Sequence, residues 1–248
     1  MVKSATGGFR QISVPRIACF NKASVSLGVD FGLLISAMQD YVDKFVAPVW
    51  GTPATLLKTS GFQKGYWAIA FLDDADQPGA LAYHDIDRDG FPFSKVFVRT
   101  IQQNAASLSV SASHQLVEML VDPTNRRMSL GSNNNFVYAF QAADPVQGLS
   151  FKVNGIEMAD FLHPAYFDTL RKSGRQQFDA MNKVRKPFEI LPGGYQMVCK
   201  NGGWDHIFGP ARKPSRPHPK AKTAPPGPRK KKLLIPALAA VKRLTRLF

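Results

Sequence analysis

The sequence predicts an α+β domain, a mixed sheet packed on one buried helix, followed by a basic, proline-rich tail that ends in a short amphipathic helix. Three observations carry this. Between residues 65 and 100, three runs rich in aromatic and β-branched residues are separated by Asp, Pro and Gly. Next comes SLSVSASHQLVEML, whose apolar positions recur at helical spacing. Beyond residue 205 acidic residues vanish and prolines and lysines take over.

Taken in order, residues 1–27 read as an N-terminal arm and residues 28–205 as the folded domain. Asp30 is placed to cap a helix through FGLLISAMQDYVDKFV, where Leu34, Met38, Tyr41 and Phe45 share one face until Pro48 stops it. GYWAIAFLDD, GALAYHDI and SKVFVRT read as three strands. In SLSVSASHQLVEML, Val110, Leu116, Val117, Leu120 and Val121 give a buried face, closed by Pro123. TNRRMSLGSNNN reads as a polar loop and FVYAFQAA as a short strand. Short elements then continue to Trp204.

Residues 206–236 form a basic, extended linker and residues 237–248 a cationic amphipathic helix, with Ala237, Val241, Leu244 and Phe248 on one side. The tail from His206 holds 12 Lys or Arg and no acid, leaving 20 basic and 18 acidic residues in the body, so the net charge of +14 belongs to the tail. A hydrophobic content of 44% is enough to bury a substantial core in one domain. Cys19 and Cys199 are the only cysteines, which excludes a disulfide framework and a Cys-rich metal site and suggests a reducing compartment. No apolar run suits a signal peptide or a membrane span.

The chemistry concentrates in HQLVE. His114 and Glu118 lie four apart, so a helix brings them to one face, where both can ligate one metal ion. In the active form of such a motif the residue after the histidine is a glutamate that takes a proton from metal-bound water. Gln115 stands there instead. An amide orients water but does not titrate at neutral pH, so it is no general base. A third ligand at Asp122 would sit about 12 Å along the helix from His114, too far for one ion. Position 141, some twenty residues beyond the helix, is better placed, although Gln141 is a poorer ligand than a carboxylate. His84 and Asp85 read as the end of a strand, with Asp85 holding a turn, the alternative being the edge of an active-site cleft. Asp122 suits a helix end beside Pro123, and His163 and His206 receive no role.

The stretches AYHD (82–85), KVFV (95–98), SHQLVEMLVDP (113–123), YAFQAADPV (138–146) and GGYQ (193–196), with Trp204, resemble an uncharacterised family of bacterial and phage proteins bearing a zincin-like metallopeptidase motif of the HExxE type. The resemblance covers about residues 28–205. It implies a zincin-like sheet on the motif helix, with the catalytic glutamate at position 115 and a second glutamate at position 141. Both are Gln here, so the motif is degenerate. The expectation is therefore a catalytically silent domain, a structural or binding component of a phage-type virion or assembly, located in the virion or the host cytoplasm.

In that reading no cofactor is expected, zinc being the one candidate, and the partners are assembly subunits. The tail, through Arg212, Lys213, Arg216, Lys220, Lys222, Arg229, Lys230, Lys231, Lys232, Lys242, Arg243 and Arg246, contacts nucleic acid or a neighbouring subunit. An anionic membrane is a third surface that would suit the terminal helix. No small-molecule substrate is evident. The alternative is an active zinc peptidase, in virion maturation or cell-wall entry. A sequence-specific regulator is disfavoured because no recognition helix is legible.

Overall fold

The computed structural model describes residues 14–131, 136–168 and 176–211 of the chain. The architecture is mixed α+β. Strand β1 (Arg16–Asn21) is followed by helix α1 (Phe31–Tyr41), a π-helical turn (Val42–Val46) and helix α2 (Ala47–Trp50). Strands β2 (Thr55–Lys58), β3 (Trp67–Leu72), β4 (Ala82–Ile86) and β5 (Pro92–Phe97) complete the first sheet. Its order is β2-β1-β3-β5-β4, with β4 an antiparallel edge strand on four parallel neighbours.

Helices α3 (Val98–Gln103) and α4 (Leu108–Val121) follow. Strands β6 (Met128–Leu130), β7 (Val137–Ala139), β10 (Tyr195–Lys200) and β11 (Gly203–Phe208) form a second, antiparallel sheet in the order β11-β10-β7-β6. Strands β8 (Ser150–Val153) and β9 (Ile156–Ala159) make a hairpin. Among the described residues no helix is long and apolar enough to cross a membrane.

The core sits between the first sheet and the helices. Ile17, Cys19, Ile69, Phe71 and Val96 of the sheet pack with Leu34, Met38 and Tyr41 of α1 and with Leu116, Val117, Leu120 and Val121 of α4. Asp30 caps α1 as the sequence predicts, its carboxylate accepting from Leu33 N at 2.8 Å. Helix α4 starts at Ser107, whose hydroxyl accepts from Val110 N. It is tied to the hairpin through Ser113 Oγ, which accepts from Ala159 N at 2.8 Å.

Several sequence expectations are corrected. The stretch read as an N-terminal arm contains β1, which lies inside the sheet with Ile17, Ala18 and Cys19 fully buried. A parallel strand covered on both faces shows no polar alternation, so its short apolar run carries little signal. Pro48 does not stop the helix. The π-helical turn before it breaks the regular ladder, Pro48 sits in the first turn of α2, where its missing N–H costs nothing, and left-handed Gly51 ends the run.

The third predicted strand ends at Phe97 and turns directly into α3, β6 lies in the segment read as a polar loop, and β2 lies where the sequence reading placed no element. The domain also passes residue 205. Strand β11 pairs with β10 through Phe208, so His206, Ile207 and Phe208 belong to the sheet and not to a linker. The remainder of the linker and the terminal helix at 237–248 lie outside the described residues.

Candidate metal centre

Helix α4 has two faces with opposite work. Leu116, Val117, Leu120 and Val121 face the core, whereas Gln115 and Glu118 line a cleft of about 810 Å³ between the edge strand β4 and the second sheet, with the His114 imidazole against Glu118. Glu118 is 2% exposed, so its charge requires a partner. The His114 imidazole supplies one, with Nε2 at 3.2 Å from Glu118 Oε1 and 3.1 Å from Asp144 Oδ1. His114, Glu118 and Asp144 each offer one ligand atom, all within 4.8 Å of one another.

The donor set suits a small dication. A tetrahedral zinc with bonds of about 2.0–2.1 Å separates its ligand atoms by about 3.3 Å, close to the two contacts made by His114 Nε2. A single Nε2–H cannot aim well at two carboxylate oxygens together, whereas one metal ion can be bound by all three groups. The electrostatics agree. Burial by itself pulls the His114 imidazole down, but the charge of Glu118 and the hydrogen bonds to Asp144 and Glu118 reverse this and raise it to about 10. Burial and the Glu118 charge push Asp144 up to about 6. Burial would raise Glu118 too, yet His114, with His84 behind it, holds it below the usual carboxylate range. The imidazole is therefore protonated between the two carboxylates, and a metal ion bound there would displace that proton.

The carboxylate that completes the candidate group is Asp144, which the sequence reading did not name, while Gln141 is buried in the cleft wall. Asp122 is no ligand, because its carboxylate accepts from Arg126 N at 3.0 Å and Arg127 N at 2.9 Å and pins the turn after α4. Asp144 takes the role from a single 3-10 turn (Asp144–Val146) after β7. The sequence did hold a signal for it. Asp144 is the only acidic residue between Asp122 and Glu157, the interval from which a ligand arriving from the next element had to come.

Gln115 lines the cleft together with Glu118 and Asp144. Its Oε1 is 3.0 Å from His84 Nδ1. An amide oxygen only accepts, so the imidazole Nδ1–H donates, and the amide is held with its NH₂ left over as a donor. His84 and Asp85 of β4 both line the cleft. His163 packs its ring on Phe161, and His206 packs against Tyr195 at 5.4 Å, so neither joins the ligand group. The basic residues of the tail, Arg212 to Arg246, lie outside the described residues. No family model, curated protein or solved structure matches this chain.

Proposed function

We propose that the domain is a zincin-like metallopeptidase domain that has lost catalysis and kept its metal centre, and that it binds polypeptide rather than cleaving it. The observation that carries this reading is Gln115 beside an intact, buried His114, Glu118 and Asp144 group. Zinc at such a site would polarise a bound carbonyl and acidify a bound water. The residues around it supply no carboxylate at position 115 to accept the proton. What Gln115 offers is a neutral amide held by His84, suited to hydrogen bonding a ligand's carbonyl.

The setting is a phage-type virion or assembly, in which the domain serves as a structural or binding component and the basic tail contacts nucleic acid or a neighbouring subunit. The motif resemblance and the charge of the tail support that setting.

The test is zinc content by mass spectrometry, with peptide hydrolysis assayed for the native protein and for Gln115→Glu. One zinc per chain with no hydrolysis in the native protein, and hydrolysis gained by Gln115→Glu, is the expected result. Hydrolysis by the native protein that disappears in His114→Ala would instead establish the active zinc peptidase.

A further inference from the structure

Two of the three ligand residues stand on a four-turn helix, but Asp144 stands on a single turn, which alone would hold a carboxylate loosely. We propose that Gly193, Gly194 and Tyr195 form a brace that presses this turn into place and aims the Asp144 carboxylate at the metal; the proposal rests on the metal-centre reading above.

Strand β10 enters across the back of the turn. A Cβ on Gly194 would come within 2.3 Å of Pro145 O and 2.9 Å of Asp144 O, so only glycine permits this approach. Gly193 adopts φ +87° to deliver the chain there. The turn is gripped from both sides, since Pro145 O accepts from Leu191 N at 3.0 Å and Gln147 Nε2 donates to Gly193 O at 2.8 Å. The next residue, Tyr195, lies against the same cleft wall as Asp144, within electrostatic reach of its carboxylate. Its ring is held in turn by His206 at 5.4 Å and Phe208 at 6.1 Å on β11.

One strand thus places the backbone of the ligand residue through a missing side chain and sets Tyr195 beside its carboxylate. Outer-shell partners of this kind are worth about ten- to a hundredfold in metal affinity. Tyr195 is a positioning residue in this arrangement. It acts through Asp144 and is not itself a ligand.

The experiment is titration of the full chain with Zn²⁺ by calorimetry, and with Co²⁺ by absorption, for the native protein, Tyr195→Phe, Gln147→Ala and Tyr166→Phe. Tyr166 is the control, because its buried hydroxyl bonds Gln196 on the same strand without touching Asp144. Tyr195→Phe is expected to weaken Zn²⁺ about ten- to a hundredfold and to change the Co²⁺ absorption bands. Gln147→Ala should weaken it only a few-fold and Tyr166→Phe not at all. Unchanged affinity in Tyr195→Phe, or an equal loss in Tyr166→Phe, overturns the brace and leaves the metal centre standing. A native protein that binds neither ion overturns the metal centre and the brace together, a result visible before any variant is made.

Discussion

Two pairs of buried carboxyl groups lie in this domain, and they are neutralised in different ways. Glu118 and Asp144 share the His114 imidazole and open on the cleft. Asp160 and Asp179 are fully buried, and backbone amides satisfy Asp179 and one oxygen of Asp160 while Asp160 Oδ2 has no amide partner. Asp160 Oδ1 accepts from Phe161 N and Met181 N, and Asp179 accepts from Lys183 N and Val184 N. Burial, and then the hydrogen bond to Asp179, push the Asp160 carboxyl up to about 8, so this pair keeps a proton at neutral pH. The difference separates function from architecture. The Nε2 proton of an imidazolium can give way to a metal ion that the imidazole then ligates, whereas amides and a shared proton staple the 176–184 segment to the end of β9.

The largest effect that would break this contrast is expected from His114→Ala. It removes the cation between two buried carboxylates and should cost about 3–5 kcal/mol at neutral pH, with zinc affinity lost. Urea unfolding should show the cost shrinking toward pH 5, where Asp144 takes up a proton. A stable variant that still binds zinc would mean that the pair is not held by His114.

Asp179→Ala orphans the N–H groups of Lys183 and Val184 and should cost about 2–4 kcal/mol while leaving zinc affinity unchanged. Loss of zinc binding there would show that the two carboxyl pairs are coupled.

Asp160→Asn should change stability least and chiefly alter its pH dependence. The folded protein holds the Asp160 proton to about pH 8, whereas the unfolded chain releases it near 3.8. Folding therefore binds an extra proton between those values, and this group's contribution is full below 3.8 and is lost as pH rises through 8. An asparagine has nothing to titrate, so the decline of stability from pH 4 to 8 should be shallower in the variant. An identical slope in native and variant protein would refute the trapped proton.

Much of the layout was legible in advance. Asp30, the three aromatic runs and the apolar spacing of 108–121 marked α1, β3, β4, β5 and α4, because cap chemistry and amphipathic period are local signals. His114 and Glu118 were legible for the same reason, since four residues make about one helical turn. What failed was non-local. Strand β1 shows an apolar run too short to distinguish from a linker, yet it pairs with β2 and β3 more than thirty residues away. The helix runs past Pro48 only because a π-helical turn absorbs the interruption.

By itself the sequence determined the chemical inventory: one imidazole and one carboxylate on a common helical face, an amide where a base would stand, and a tail that carries the charge. The tertiary structure decided the third partner. Asp122 is nearer to Glu118 in sequence, but the end of α4 turns its carboxylate onto the amides of Arg126 and Arg127. Asp144 reaches the imidazole because β10 presses its turn against the helix, and no local pattern records that approach except the absence of a side chain at Gly194.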